Sequence, residues 1–172
     1  MDQEAIIRYI TETFTGLEVQ RPTDGPGAGD TFVFYDPEHI TDPAHRLPFA
    51  TIVTKDYGDF DNASQLDRPD VFRLNIGVGR DTFRALFGAA PGEQSDHSVR
   101  YDYAALDRVM PHPVYAPQSW VCVLNPTAET FEAIKPLLAE AYGHDARRYH
   151  RRQTTSDDGE AGQTVSGLEG NI

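Results

Sequence analysis

The segment 71–78, VFRLNIGV, constrains the fold more than any other stretch of the chain. Apolar residues occupy every second position: Phe72, Leu74, Ile76 and Val78. The positions between them are polar or small: Arg73, Asn75 and Gly77. Side chains alternate between the two faces of a strand, so these two sets point in opposite directions. The pattern predicts an antiparallel strand with one face covered and the other solvated or functional.

Shorter patterns on either side of this strand predict the other elements. Runs rich in β-branched and aromatic residues predict strands at 17–19, 31–35, 49–54 and 120–124. Apolar residues at three- and four-residue spacing predict helices at 2–14, 81–87, 103–110 and 125–142. This order predicts an α+β domain with a mostly antiparallel sheet of roughly four to five strands and helices packed mainly on one face.

The chain has the size of one domain. Residues 1–146 are predicted to form a single globular α+β domain, because 172 residues can build one hydrophobic core. Residues 147–172 are predicted to contain the end of the last helix and a polar tail, disordered past about residue 152, because apolar residues become scarce there. Pro136 lies inside the last helical pattern and is expected to kink or split that helix.

Charge and composition narrow the class of partner. The formal net charge of −12 argues against nucleic acid, because phosphate backbones are bound by basic surfaces. No apolar run approaches the roughly 18 residues that cross a bilayer, so we expect no membrane association. The acidic N-terminus does not resemble an export signal, and the single cysteine fits a reducing compartment. A cytoplasmic location is predicted.

Metal-binding patterns in the sequence are incomplete. Asp36, His39 and His45 lie close together, but their spacing matches no zinc template. In the acidic loop 55–70, a calcium-binding register that starts at Asp59 fails, because Ser64 stands where glycine is required. Both patterns therefore predict solvated loops, and no metal ion is expected.

A glycine-containing turn follows the alternating strand. The segment NIGVGRDTF places glycines between a strand and a helix, as phosphate-binding loops do. Thr82 stands where a dinucleotide-binding fingerprint has its third glycine, and no phosphate-loop lysine follows. Gly77 and Gly79 are therefore expected to let the chain turn tightly out of the strand. No cofactor is predicted.

Nucleophile motifs are also lacking, since no G-x-S-x-G elbow occurs. Cys122 could act as a nucleophile with His112 as its base, because a Cys–His pair needs only proximity in space. However, Cys122 lies between Val121 and Val123, in a run that is typical of a buried strand. We therefore expect a small, buried and inert thiol.

The segment 111–117, PHPVYAP, is the principal candidate for function. Its three prolines fix φ and remove backbone donors, which predicts a rigid, largely extended lip. This lip would present His112 and Tyr115. If strand 71–78 neighbours strand 120–124, Arg73 and Asn75 point into the same concavity. These four residues are the predicted binding site for a small polar or anionic ligand.

A purely structural role for the same residues stays open at this point. His112 could follow helix 103–110 as a cation at the negative end of the helix dipole. Tyr115 and Trp120 could pack the edge of the sheet. Asn125 is expected to N-cap the helix that Pro126 opens.

Several longer segments carry a family resemblance: FVFYDP, RLPFATIVTKDYGDFDNASQLDRPDVFRLNIGVGRDTFRALFG, YDYAALDRVMPHPVYAPQSWVCVLNP and FEAIKPLLAEAY. They resemble an uncharacterised, mainly actinobacterial family that is defined as a domain of unknown function, family 6194. That resemblance implies no activity, cofactor or catalytic residue. More distantly, the strand QSWVCVLN and a final helix ending in tyrosine resemble the YjbR-like domains, which implies an antiparallel sheet with helices on one side.

Three functions follow as hypotheses. The first is a non-enzymatic cytoplasmic module that binds a small ligand or a protein, in a binding or regulatory role. The alternative is a small hydrolase-like enzyme with His112 as general base and Arg73 as anion clamp. The third is DNA binding by fold analogy with the YjbR-like domains, which the net charge disfavours.

Overall fold

The computed structural model describes residues 1–39, 41–42, 46–88, 90–92 and 101–160, with side chains up to residue 153. Within these residues there are three α-helices: α1 (Gln3–Thr13), α2 (Arg80–Phe87) and α3 (Ala128–Glu160). The strands of the same residues are β1 (Leu17–Gln20), β2 (Thr31–Tyr35), β3 (Ala50–Val53), β4 (Arg73–Gly77), β5 (Met110–Pro111) and β6 (Trp120–Leu124). A short 3-10 turn, Ala116–Gln118, precedes β6.

The strands form one open antiparallel sheet in the order β1-β2-β3-β4-β6-β5. The predicted α+β class with an antiparallel sheet is confirmed, although the sheet has six strands. The additional strand is β5, a two-residue edge strand that pairs with β6. One row of aligned residues crosses most of the sheet: Phe32, Thr51, Asn75, Cys122 and Met110.

The alternation along β4 separates two faces of the sheet, as predicted. Leu74 and Ile76 belong to the main hydrophobic core, which α1 and α3 cover with residues such as Ile6, Ile10 and Leu138. On the opposite face, a second cluster lies beneath the loops that follow β3 and α2: Val53, Leu66, Met110, Cys122 and Leu124. The polar residues of β4 face this second side, where loops leave part of the sheet uncovered.

The predicted helix at 103–110 is wrong. Asp107 has a positive φ of 58°, and its N–H donates to the carbonyl of Leu124 at 2.7 Å. Leu106 forms a parallel bridge to the same residue of β6. The segment therefore runs beside β6 and ends in β5, because backbone bonds to that strand replace the internal bonds of a helix.

The prediction that Asn125 N-caps the last helix is also wrong. Asn125 has a φ of 39°, and its side chain accepts from the N–H of Phe72 at 2.8 Å and donates to the carbonyl of Asp70 at 2.7 Å. The capping residue of α3 is Thr127, whose hydroxyl accepts from the N–H of Thr130.

Helix α3 is longer and more regular than the sequence predicts. Pro136 lies inside it without splitting it, and the helix continues to Glu160, whereas the apolar pattern predicted a helix that ends near Tyr142. Ala141, Asp145 and Tyr149 are buried at four-residue spacing, so tertiary packing holds the second half of the helix against the body. Residues 161–172 lie outside the described residues. Within the described part, no helix combines the length and apolar character needed to cross a membrane.

Candidate functional site

A cleft of about 770 Å³ opens over the polar face of β4. It is bounded by the loop after β3, by the segment 112–118 and by the second half of α3. Arg73, Asn75, His112 and Tyr115 all line it, so the structure brings the four predicted site residues together. The prediction assumed that strand 71–78 neighbours strand 120–124. The structure agrees, because β4 and β6 are neighbouring antiparallel strands.

The floor of the cleft changes in polarity along β4. Arg73, Asn75 and Gly77 point to the same face and span about 13 Å at the rise of an extended strand. Trp120 lies opposite Gly77 in the register, and Phe49 lines the same end of the cleft. The cleft therefore has a polar end at Arg73 and an aromatic end at Gly77.

Arg73 is buried and is engaged by other side chains of the protein. Its Nη1 and Nη2 donate to the two carboxylate oxygens of Asp61 at 3.0 and 2.5 Å. Nη1 also donates to Ser64 Oγ at 2.8 Å, and Nε donates to Asn75 Oδ1 at 2.8 Å. Four of the five guanidinium N–H groups are thus used within the protein. Only one N–H group of Arg73 therefore remains to bind a ligand anion, whereas the enzyme hypothesis required Arg73 as an anion clamp.

The acidic loop that carries Asp61 is more ordered than a solvated loop. Asp61 is 7% exposed and Ser64 is fully buried, whereas Asp59 remains exposed. Asp56 further ties the loop together by accepting from the N–H of Leu66 at 2.8 Å. The prediction of a solvated loop is therefore wrong for Asp61 and Ser64. The missed signal was Arg73 itself, since a buried guanidinium requires a carboxylate partner.

Asn75 extends the polar floor across the sheet. Its Oδ1 receives the hydrogen bond from Arg73 Nε, and its Nδ2 donates to Thr51 Oγ1 at 2.8 Å. Thr51 stands opposite Asn75 in the pairing of β3 with β4 and also lines the cleft. The chain Asp61–Arg73–Asn75–Thr51 fixes the orientation of each of its side chains.

His112 lies in the wall of the cleft with a defined tautomer. Its side chain is 2% exposed, and Nδ1 accepts from the backbone N–H groups of Val114 and Tyr115, both at 3.1 Å. A nitrogen that accepts hydrogen bonds carries no proton, so the proton of the neutral ring is on Nε2. Among the described residues, none accepts a hydrogen bond from Nε2. Nε2–H is therefore the group that His112 can offer to the cleft.

The electrostatic surroundings keep His112 neutral. Burial, and then the positive charge of Arg73, lower the pKa of His112 to about 3, while Asp61 opposes part of this effect. A general base needs an available lone pair, but Nδ1 is occupied and Nε2 is protonated. These contacts argue against a general-base role for His112. Its interpretation as a cation at a helix end is wrong, because residues 103–110 form no helix.

Aromatic side chains form the rim of the cleft. Tyr115 is 41% exposed and Phe60 is 63% exposed, and their ring centroids lie 6.1 Å apart. The His112 ring lies 5.0 Å from the ring of Tyr115. Phe60 was not singled out from the sequence, since a lone aromatic residue in a polar loop has no pattern that distinguishes it.

Cys122 does not contribute to the cleft. The thiol is 1% exposed, packs in the second hydrophobic cluster, and lies 3.6 Å from the carbonyl oxygen of Pro111. Burial raises its pKa to about 12. The geometry agrees with the expected buried and inert thiol and gives Cys122 no base.

Gly77 and Gly79 allow close contacts and are not needed for a turn, which corrects the prediction from sequence. Neither has a positive φ. A Cβ on Gly77 would lie 3.3 Å from the Trp120 ring, and one on Gly79 would lie 2.7 Å from Glu140 Oε1. Glu140 accepts from Gly79 N and Thr82 Oγ1, both at 2.7 Å. A carboxylate of the protein thus already binds the start of α2, where a phosphate would bind.

Metal-ligating groups are dispersed in the structure. Within the described ranges, no three His, Cys, Asp or Glu side chains are grouped so as to hold a metal ion. His39 instead contacts Glu18 at 3.0 Å. His45 of the proposed histidine pattern lies outside the described residues.

Comparison with known proteins gives one result. Searches of curated proteins and of solved structures found no match. The model of a family of unknown function matches residues 1–154. This range includes every residue named above as lining the cleft. The chain therefore belongs to this family, DUF6194.

Proposed function

We propose that the protein is a non-enzymatic cytoplasmic module that binds a small molecule in the cleft over β4. The observation that carries this proposal is His112. A buried neutral imidazole, held by two backbone N–H groups, has its remaining donor at the wall of an open cleft. A donor of a largely buried ring that no protein group accepts, and that reaches the cleft, is available to a ligand.

The size and lining of the cleft support a small ligand. Its volume of about 770 Å³ falls within the roughly 300–1,000 Å³ of ordinary ligand sites. Such sites combine apolar and aromatic walls with a few fixed polar groups. Here Phe32, Phe49 and Trp120 supply aromatic walls, and Asn75 and His112 supply fixed polar groups.

The charges around the cleft favour a neutral ligand over an anionic one. The lining carboxylates and guanidiniums balance, with Asp61 paired to Arg73 and Asp145 paired to Arg148. His112 adds no positive charge. A ligand anion would therefore gain no uncompensated cation at the polar end, so we narrow the predicted polar or anionic ligand to a neutral polar one.

An enzymatic role has less support from these residues. His112 offers a proton donor and no base, and Cys122 is buried away from the cleft. A protein partner is less favoured, because Arg73 and Asn75 lie on the floor of the cleft and are buried. DNA is less favoured because the lining charges balance and offer no basic surface.

Thermal-shift screening of a metabolite library on the full chain tests the proposal. We expect saturable increases in Tm for some neutral compounds, which Tyr115→Ala reduces because it removes one wall of the cleft. Leu86→Ala is the matched control, since Leu86 is similarly exposed on α2 and does not line the cleft. Hits that respond equally to both substitutions, or no hits at all, would contradict the proposal.

A further inference from the structure

We infer that the ligand carries an amide-like edge, with a hydrogen-bond acceptor beside an N–H, on a flat and otherwise apolar ring. This inference rests on the proposed function and specifies the ligand class. Primary carboxamides, lactams and nucleobase-like rings have such an edge. Two groups that line the cleft, on His112 and Asp61, define it.

The acceptor half of the edge follows from His112. Its Nδ1 is held by Val114 N–H and Tyr115 N–H, so the ring can only donate to a ligand, through Nε2. Rotation of the ring to present a lone pair would break both backbone bonds. The group that meets His112 must therefore be an acceptor such as a carbonyl oxygen.

The donor half of the edge follows from Asp61. The carboxylate lines the cleft, and each of its oxygens receives one hydrogen bond from Arg73. A carboxylate oxygen can accept about two hydrogen bonds, so each retains a lone pair for a ligand N–H. Ring contacts connect the two groups, because His112 lies 5.0 Å from Tyr115 and Tyr115 lies 6.1 Å from Phe60, the residue before Asp61. A ligand carboxylate would be repelled there.

The ring of the ligand follows from the aromatic end. Gly77 has no side chain, so the Trp120 indole lies directly against β4, with ring atoms 3.3 Å from where a Cβ would be. Phe49 and Phe32 line the same cleft. Flat apolar groups pack favourably on such aromatic surfaces. The floor length of about 13 Å from Arg73 to Gly77 fits one ring and its polar edge.

Three probe compounds separate the elements of this inference: benzamide, N,N-dimethylbenzamide and benzoate. The first has the acceptor and the N–H, the second has only the acceptor, and the third is an anion. Binding is followed by the indole N–H signal of Trp120 in ¹⁵N-labelled full-length protein. This chain has a single tryptophan, so the signal needs no assignment. We expect benzamide to bind about tenfold more tightly than either analogue, as one charge-assisted hydrogen bond would require.

His112→Asn is the matched variant. The Asn Oδ1 can accept the two backbone N–H groups in place of Nδ1, but its Nδ2–H donors lie at the position of the imidazole Cδ2, one bond short of Nε2–H. We expect this variant to retain a dispersed spectrum and to lose about tenfold in benzamide affinity. The comparison of the three probes on the unmodified protein gives an answer even if the variant does not fold.

The outcomes separate this inference from the proposed function. Equal binding of the three probes, or no binding of benzamide, overturns the inference. In that case a saturable library hit that lacks the amide-like edge still supports a binding cleft. If no library compound binds either, the proposed function fails as well.

Discussion

Arg73 on β4 and Asp61 in the preceding loop form a buried ion pair through two parallel hydrogen bonds, of 2.5 and 3.0 Å. The pair attaches the loop to the floor of the cleft. Both charged groups are buried away from water, so removal of either one would leave the other as an uncompensated buried charge.

We expect Asp61→Asn to lower the free energy of unfolding by about 3–5 kcal/mol, because it leaves a buried guanidinium uncompensated. Asp59→Asn is the control, since Asp59 is exposed in the same loop and should change stability by less than about 0.5 kcal/mol. Urea unfolding measures both values. Equal effects of the two substitutions would mean that the ion pair does not stabilise the loop.

His112 allows the structural and binding roles of one side chain to be separated. His112→Ala leaves the N–H groups of Val114 and Tyr115 without their acceptor and should cost about 1–3 kcal/mol. His112→Asn restores an acceptor and should cost clearly less. Urea unfolding of both variants checks this order, and an equal loss would show that Nδ1 contributes little to the lip.

The pKa of His112 predicts a pH dependence of stability. The folded value of about 3 lies below the ordinary value of 6.5, so the unfolded chain binds a proton first as the pH falls. Stability contributed by neutral His112 is complete above pH 6.5 and is lost between pH 6.5 and about 3. As the pH falls through this range, the loss of His112's contribution lowers the free energy of unfolding by at most about 1.4 kcal/mol per pH unit.

The difference in unfolding free energy between the unmodified protein and His112→Asn isolates this contribution between pH 7.5 and 5. Other titrating groups contribute to both proteins and cancel in the difference. Stability curves that remain parallel over this range would contradict a buried neutral His112.

Cys122 is expected to resist alkylation in the folded protein. Burial keeps the thiol from solvent and raises its pKa to about 12, so little thiolate forms at neutral pH. Mass spectrometry after iodoacetamide treatment should show almost no labelling in buffer and complete labelling in urea. Rapid labelling in buffer would reopen a role for this residue.

Two glycine-to-alanine substitutions should have opposite signs. Gly79→Ala forces a Cβ against Glu140 Oε1, so Glu140 must give up its hydrogen bonds to Gly79 and Thr82, and the protein should lose about 0.5–1.5 kcal/mol of stability. Gly143→Ala lies within α3, where the new Cβ would meet only the flexible end of Arg147, and should stabilise it by about 0.5–1 kcal/mol. Thermal unfolding measures both, and a neutral Gly79→Ala would show that Glu140 can withdraw from α2.

The sequence predicted elements whose pattern is local. The alternation in 71–78 identified the two faces of the sheet, and the aromatic runs at 31–35 and 120–124 matched β2 and β6. Grouping Arg73 and Asn75 with His112 followed from that alternation and one assumption about neighbouring strands. The assumption was correct, because β4 and β6 pair along their full length.

Features set by contacts distant in the chain could not be predicted. Leu106, Val109 and Met110 have helical spacing, but backbone bonds to β6 decide their conformation. Asn125 has the composition of a cap, yet it bonds to residues more than fifty positions away. The charge state of His112 likewise depends on Arg73 and on burial, which no local pattern reports.

Helix α3 links the parts of the molecule that a ligand would affect. Phe131 and Leu138 fill the core, Glu140 holds the start of α2, and Ala141 and Asp145 border the cleft. Because one continuous helix contacts the core, the start of α2 and the cleft, we expect these three regions to unfold cooperatively. The free energy of binding in the cleft should therefore be transmitted to the whole domain, so that occupancy slows amide hydrogen exchange even in β1 and α1, which contribute no residue to the cleft.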